Sequence, residues 1–202
     1  MRRVIILGAV AAAGYWAYRE GHLDPLLTDS GISRATSPEA MTPAVIGGQL
    51  GEGVEPSREQ TILLSNLDVV SDWSLRNLSW TAAMMWAESR GNPSAESIAG
   101  ALGAMQVMPG TAADLYEWGW RDFMPTRETL LSMRGSIYFG TAYLDYLSNL
   151  SRGGDRDWLT RAYNAGPDGQ RADGTWPAET NAYVRAVRGQ FLQLPDVEGM
   201  MI

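Results

Sequence analysis

Residues 80–88, WTAAMMWAE, decide the fold of this chain and contain its strongest candidate for a catalytic group. Only Thr81 interrupts the apolar run over 80–87, and a helix that is apolar nearly all round is buried on most sides. We therefore expect this helix at the centre of a helical domain. Glu88 follows directly, and poor solvation at the end of a buried helix disfavours an ionised carboxylate. Glu88 is thus a candidate general acid; the alternative is a surface glutamate paired with Arg90 or another arginine.

Helical signals recur from about residue 60, without a clear period-2 strand. Residues 73–90 predict one long helix that ends at Gly91, with Pro93 beyond it as a stop. A second helix is predicted to begin at a capping box of Thr111 and Asp114, and a third carries an apolar stripe at Ile137, Thr141, Leu144 and Leu147. A fourth helix is predicted to end near residues 164–167. A fifth is predicted to run from Pro177 to about Leu192. The sequence predicts a mainly α domain over residues 60–194, followed by a tail at 195–202.

The composition excludes several classes of chemistry. The 202 residues include no cysteine and one histidine, His22, and all 16 basic residues are arginine. Thiolate and histidine-rich metal sites, a Ser-His-Asp triad and a P-loop lysine are therefore excluded from the predicted domain. We expect no metal and no cofactor. The net charge of −7, without basic clusters, argues against a nucleic-acid partner.

The N-terminal part of the chain has a different character. Arg2 and Arg3 precede an apolar run over residues 4–18, which predicts a membrane anchor over residues 1–19. A cleavable signal that ends near residues 11–13, AAA, is the alternative. Residues 20–59 are rich in proline and glycine and predict a flexible linker. Either alternative places the helical domain outside the cytoplasm, on the periplasmic side of a membrane or at a virion membrane.

Several short blocks have an ordinary structural explanation when each is taken alone. The block AYNAGP at 162–167 suits the end of a helix, and the glutamine in GAMQVMP at 103–109 suits a helix cap. Taken together, ESRGNP at 88–93, Ser97, GAMQVMP, AYNAGP and ETNAYV at 179–184 resemble the soluble lytic transglycosylase family of the lysozyme-like superfamily. The resemblance spans about residues 65–192, and the blocks follow the order of the family.

The resemblance implies a lysozyme-like helical fold that cleaves peptidoglycan between N-acetylmuramic acid and N-acetylglucosamine. Glu88 matches the acid/base of the family, Tyr183 matches a tyrosine near that carboxylate, and Glu179 matches a buried acid that supports the site. The positions that match the lining of the glycan cleft are Ser97, Gln106, Met108, Tyr163 and Asn164. Ala104 stands where leucine is common, and the stretch over 167–179 looks shorter than in larger relatives, which leaves the preferred glycan length open.

The resemblance also implies a reaction with a single acid, in which the substrate's own N-acetyl group assists and a 1,6-anhydro product forms. A second carboxylate, Asp114 or Glu117, stays an alternative. Hydrolysis by a goose-type lysozyme and a wall-binding assembly module without turnover are the rival functions. The expected setting is local opening of the cell wall, for a secretion or conjugation apparatus or for virus entry, or wall turnover; no assembly or virion partner follows from the sequence.

Overall fold

A computed structural model describes residues 55–150 and 154–197, and this part of the chain is helical. The helices are α1 (Arg58–Leu64), α2 (Asp72–Leu75), α3 (Leu78–Ser89), α4 (Pro109–Glu117), α5 (Arg127–Leu130), α6 (Met133–Ser148), α7 (Arg156–Ala165) and α8 (Ala178–Phe191), with a 3-10 turn at Leu67–Val69. Between α3 and α4 the described chain has two isolated antiparallel bridges, Glu96–Leu102 and Leu102–Val107. The mainly α class is therefore confirmed.

The predicted membrane anchor, residues 1–19, lies outside the described residues, and so does most of the predicted linker. Across residues 55–150 and 154–197, no helix combines the length and the apolar character that a membrane span requires. The anchor stays a prediction.

Helix α3 forms the centre of the domain, as its sequence predicts. Its residues from Leu78 to Met85 are all buried. At the N-terminal end of α3, the Trp80 ring lies 5.0 Å from the Phe191 ring of α8; at its C-terminal end, Glu88 interacts with Tyr183 of α8. The two helices are thus antiparallel, and Glu88 is carried to the edge of the core.

The predicted single helix over residues 73–90 is wrong, because the chain breaks between α2 and α3. Asn77 has the non-helical angles φ −138° and ψ 43°. Its amide donates to the Trp73 carbonyl over 2.8 Å, and its side-chain oxygen accepts from Arg156 over 2.9 Å. Asparagine competes with helical hydrogen bonds in this way, and here a partner from α7 holds the break.

The predicted start of α4 at a capping box of Thr111 and Asp114 is also wrong. The helix begins at Pro109, and its N-cap residue is Met108, three residues before the predicted Thr111. Proline suits the first helical position because its φ is already helical and the N–H that it lacks would have no partner there.

The later helices match their predictions closely. The buried residues of α6 include the predicted stripe of Ile137, Thr141, Leu144 and Leu147. Helix α7 ends at Ala165, followed by Gly166 with a φ of 82°. Helix α8 follows Pro177 and ends at Phe191.

The folded unit extends beyond both predicted boundaries. Helix α1 begins at Arg58, where Ser57 and Gln60 form a capping box. The Gln60 amide also donates to the Pro195 carbonyl over 2.8 Å, and Val197 is fully buried. The end of the predicted linker and the start of the predicted tail therefore pack on the domain.

Two glycines let the segment before α4 approach its neighbours closely. A Cβ on Gly103, where φ is +79°, would overlap the Leu130 carbonyl oxygen; a Cβ on Gly140 would lie 2.5 Å from Met105 Cβ. Residues 103–105 are thus held against α5 and α6 at a distance that excludes a larger side chain.

Gly103→Ala should lower the free energy of unfolding much more than Gly100→Ala. Gly100 has a φ of +87° but no atom within 4 Å of its Cβ position, so alanine there costs the left-handed strain alone, about 1–2 kcal/mol. At Gly103 the overlap adds about 1–3 kcal/mol. Urea unfolding of both variants measures the difference; equal destabilisation would contradict the close approach.

Candidate active site

Glu88 is the next-to-last residue of α3 and lies at the rim of the core. The four residues at 82–85 are fully buried, whereas Glu88 is partly exposed. Burial nevertheless raises the pKa of its carboxyl group from 4.5 to about 8. The carboxyl group is therefore mostly protonated at neutral pH, which is the direction expected for a general acid.

Tyr183, on α8, lies beside the Glu88 carboxyl. The Tyr183 hydroxyl interacts with this carboxyl and partly offsets the effect of burial on the Glu88 pKa. Burial, with the charge of Glu88, raises the pKa of Tyr183 well above its usual value. The Tyr183 hydroxyl is buried and has no regular hydrogen-bond partner in the described part of the chain. Tyr183 is therefore a neutral phenol that interacts with the Glu88 carboxyl.

Tyr163, on α7, is the second tyrosine near Glu88. It is buried, and burial and the charge of Glu88 both raise its pKa. Its hydroxyl donates to the Met105 carbonyl over 2.8 Å, and the Met105 N–H donates to Ser136 Oγ over 2.9 Å. Tyr163 therefore links the neighbourhood of Glu88 to the segment before α4.

Ser89 anchors that segment to the end of α3. Its hydroxyl donates to the Ala104 carbonyl over 2.7 Å and accepts from the Asn92 N–H over 3.0 Å. The chain then turns through Arg90 and Gly91, both with positive φ. Ser89 thus fixes the loop beside the acid, and neither of its two hydrogen bonds involves Glu88.

Two of the residues matched to the glycan cleft hold this loop in shape. The Gln106 amide donates to the carbonyls of Gly103 and Ala95, over 2.9 and 3.2 Å, and the residue has a φ of 50°. Ser97 Oγ accepts from the Ala101 N–H over 2.9 Å. Both side chains therefore make structural contacts, and both are partly exposed.

Two of the three remaining matched positions, besides Tyr163, lie at or near helix ends. Met108 is the N-cap residue of α4 and is partly exposed. Asn164 is next to Tyr163 near the end of α7 and is 4% exposed. Its side-chain oxygen is buried and has no hydrogen-bond partner in the described structure. A buried acceptor without a partner is costly, so this oxygen is a candidate contact for a ligand.

Glu179 does not have the environment that the resemblance implies. The resemblance gives it as a buried acid, but its side chain is exposed in the first turn of α8. The inward residues of this helix are Thr180, Tyr183, Val184 and Val187. The expectation of burial is therefore wrong, because Glu179 lies outside this stripe; an acid in the first turn still suits the helix dipole.

No second acid acts on Glu88 in the described part of the chain. The Glu88 pKa is set by burial and by Tyr183. Asp114 acts instead on Tyr143, and Glu117 is exposed at the end of α4. Among the described residues, no group of three or more histidines, cysteines or acids is placed to hold a metal ion. The arrangement can supply one proton and take one back.

Sequence reasoning missed Ser89, Ser136 and Gly140 as residues that build the site. Ser89 lies next to Glu88, but its partner carbonyl is 15 residues away. Ser136 and Gly140 lie one turn apart on α6, where they contact Met105. Small residues at this spacing in an otherwise apolar helix were the available signal for close approach.

Comparison with known proteins gives one family. Residues 76–182 match the family model described as the transglycosylase SLT domain. The chain is 35% identical over 109 residues to the soluble lytic murein transglycosylase of Escherichia coli K12. The aligned residues make up 54% of this chain and 16% of the relative. It is 39% identical over 82 residues to the membrane-bound lytic murein transglycosylase C of Yersinia pestis. This alignment includes 40% of this chain and 23% of that protein.

A crystal structure of an inactive mutant of the lytic transglycosylase Slt from Pseudomonas aeruginosa is similar at 26% identity, with a TM-score of 0.49. It covers 59% of this chain and 22% of that one. The chain thus matches less than a quarter of the length of each of these relatives.

Glu88→Gln should stabilise the protein at alkaline pH and leave its stability unchanged in acid. The folded-state pKa of about 8 lies above the ordinary 4.5, so the unfolded chain ionises first as pH rises. Stability from this group is full below the ordinary pKa and is lost as pH rises towards the folded-state value. Since one pKa unit is about 1.4 kcal/mol, the gain at high pH is on the order of a few kcal/mol.

Unfolding in urea near pH 4 and near pH 9 measures the effect (both values chosen to bracket the two pKa values). Glu117→Gln removes one exposed negative charge and is the matched control. If the free energies of unfolding of Glu88→Gln and the wild type differ by the same amount at both pH values, the buried carboxyl is contradicted.

Proposed function

The chain belongs to the transglycosylase SLT domain family, and from this premise we propose that it is a lytic transglycosylase that cleaves the glycan strands of peptidoglycan. The bond is the β-1,4 bond between N-acetylmuramic acid and N-acetylglucosamine. The observation that carries the proposal is the buried carboxyl group of Glu88, whose pKa of about 8 keeps a proton on it at neutral pH.

In the first step Glu88 donates its proton to the glycosidic oxygen. The bond between this oxygen and the anomeric carbon breaks, and the leaving sugar departs as an alcohol. The anomeric carbon develops positive charge, which the carbonyl oxygen of the substrate's own N-acetyl group stabilises. This assistance makes a carboxylate nucleophile unnecessary, which agrees with the absence of a second acid acting on Glu88 in the described chain.

In the second step the 6-hydroxyl of the same sugar attacks the anomeric carbon. Its proton passes to the Glu88 carboxylate, which restores the acid, and the product has a 1,6-anhydro end. Attack within one molecule benefits from a high effective concentration and consumes no water. The neutral Tyr183 phenol stabilises the carboxylate between the two steps, since its interaction with Glu88 favours the ionised form.

The substrate contacts follow from the environment of each residue. The buried Asn164 oxygen, which has no partner in the described structure, accepts a hydrogen bond from the sugar. Tyr163, next to Asn164 on α7, and Met108 provide apolar contacts. Ser97 and Gln106 hold the loop before α4 in shape, and both side chains are partly exposed.

The setting that we propose is local opening of the cell wall by a membrane-tethered enzyme outside the cytoplasm, for a secretion or conjugation apparatus or for virus entry. The two arginines before the apolar run at residues 4–18 support it.

Glu88→Gln should abolish cleavage of purified peptidoglycan, with a loss of about 10²–10⁴-fold expected for removal of a general acid. Glu117→Gln, which removes one of the two alternative second carboxylates, should retain activity. Mass analysis of the fragments should find anhydro ends. Substantial turnover by Glu88→Gln would reject Glu88 as the acid; reducing ends would make the enzyme a hydrolase, and binding without any product would make it a wall-binding module.

The pH dependence of cleavage should show an alkaline limb near the Glu88 pKa, because the first step requires the protonated carboxyl; activity should fall above about pH 8. Tyr183→Phe should move this limb to higher pH, because the phenol lowers the Glu88 pKa, and should also lower kcat. Tyr116→Phe, at an exposed tyrosine, is the control. An unchanged limb in Tyr183→Phe would contradict the role of the phenol.

A further inference from the structure

Helix α1 packs against the turn that follows α3. Gly91, in this turn, is buried and has a φ of +66°. A Cβ on Gly91 would lie 2.9 Å from the Ile62 Cδ1 methyl and 3.8 Å from Glu59 Oε1. The Arg58 guanidinium donates a hydrogen bond to the Arg90 carbonyl over 3.4 Å. Three side chains of α1 therefore lie against this turn, and the Ile62 methyl is the nearest to the glycine.

The same glycine also lies against α3, one turn before the acid. The Met85 sulfur lies 3.8 Å from the Cβ position of Gly91, and Met85 precedes Glu88 by about one helical turn. Gly91 is thus packed between Ile62 of α1 and Met85 of α3. Because the Ile62 methyl closes the space on one side, its position determines how far the turn and the end of α3 can move.

Helix α1 is itself fixed in place. Its Gln60 amide donates to Ser79 Oγ, at the start of α3, over 3.0 Å and to the Pro195 carbonyl over 2.8 Å. Leu63 and Leu64 are buried in the core. Helix α1 is therefore joined to the start of α3 and to the C-terminal end of the folded unit, and it can support the turn at the other end of α3.

We propose that Ile62 is a positioning residue for Glu88, because its Cδ1 methyl holds the turn after α3 and thereby the direction of the Glu88 carboxyl. The inference rests on the proposed function, since it takes Glu88 to be the acid. It also adds a part that the family match does not include: the match begins at residue 76, whereas α1 ends at Leu64.

This role affects the rate of the reaction and leaves the affinity for substrate unchanged. The residues that we propose as substrate contacts lie in the loop before α4, at its N-terminus and on α7, away from α1. Proton transfer from Glu88, in contrast, depends on the direction of the carboxyl, because a small misplacement of a reacting group slows the chemical step. A lower kcat with an unchanged KM is therefore the expected signature.

The test compares Ile62→Val and Ile62→Ala with the wild type, in the full chain, on purified glycan strands. Ile62→Val removes only the Cδ1 methyl that lies against Gly91. The kcat value should fall about two- to fivefold in Ile62→Val and about tenfold in Ile62→Ala, less than the roughly 10²-fold cost of a misplacement of about 1 Å. KM should stay unchanged in both variants.

Leu64→Ala is the matched control, because Leu64 is on the same helix and is 5% exposed. Its truncation weakens the packing of α1 at least as much as truncation of the partly exposed Ile62, but Leu64 is not among the groups nearest to Gly91. It should leave kcat unchanged at a temperature where all the variants are folded. An equal loss of kcat in Leu64→Ala, or a full kcat in Ile62→Ala, would overturn the proposal.

Gly91→Ala tests the contact itself. In the wild type the new Cβ would overlap the Ile62 methyl, whereas the next atoms lie at 3.8 Å. Ile62→Val removes the overlapping methyl, so the alanine methyl takes its place. Ile62→Val should therefore raise kcat when Gly91→Ala is present, although it lowers kcat in the wild type. Independent effects of the two substitutions on kcat would count against the contact.

A measurement without substrate separates this proposal from the proposed function. In an NMR titration of the Glu88 carboxyl carbon, the midpoint should fall in Ile62→Ala towards the ordinary 4.5, because a turn that is no longer held admits water to the carboxyl. It should keep the wild-type value in Leu64→Ala. If the wild type cleaves nothing, the proposed function fails, and this titration still decides whether Ile62 positions Glu88.

The titration reports the position of Glu88 because the substitutions leave its titratable neighbours in place. These are Tyr183 on α8 and Tyr163 on α7, and Glu59 lies across the turn on α1. An unchanged midpoint in Ile62→Ala would overturn the proposal even if the enzyme is active. Should Ile62→Ala fail to fold, Ile62→Val replaces it, with a smaller fall of the midpoint as the expected result and no fall as the contrary one.

Discussion

The removal of the Glu88 carboxyl from water is the constraint on which the site depends. Its cause is the apolar helix α3, whose residues from Leu78 to Met85 are buried on all sides. The helix ends where the core ends, so Glu88 is partly exposed and yet poorly solvated. A carboxyl further inside could not reach a substrate, and one further outside would lose its proton at neutral pH.

The surroundings of Glu88 are built by contacts to backbone atoms. Ser89 binds the Ala104 carbonyl and Tyr163 binds the Met105 carbonyl, while Gly140 admits Met105 against α6. The segment at 103–105 is therefore fixed from three directions. None of these three contacts uses the Glu88 carboxyl. The raised pKa has a cost in stability at alkaline pH, which is the expected relation between a strained site and its function.

The sequence predicts the elements whose signals are local. The apolar run at 80–87, the stripe of α6 and the asparagine–glycine end of α7 each lie within one helix, and all are found. The break at Asn77 depends on Arg156, 79 residues away, and the surface location of Glu179 depends on which face of α8 meets the core. The Trp118 ring, directly after α4, lies 4.9 Å from the Tyr146 ring of α6. Periodicity cannot encode such pairings, because they exist only after the helices pack.

An NMR titration of the Glu88 carboxyl carbon, assigned by its absence in Glu88→Gln, tests the central claim most directly. The account predicts a titration midpoint near 8 in the folded protein. A midpoint near the ordinary value of 4.5 would contradict it, because Glu88 would then be ionised at neutral pH and would have no proton to donate.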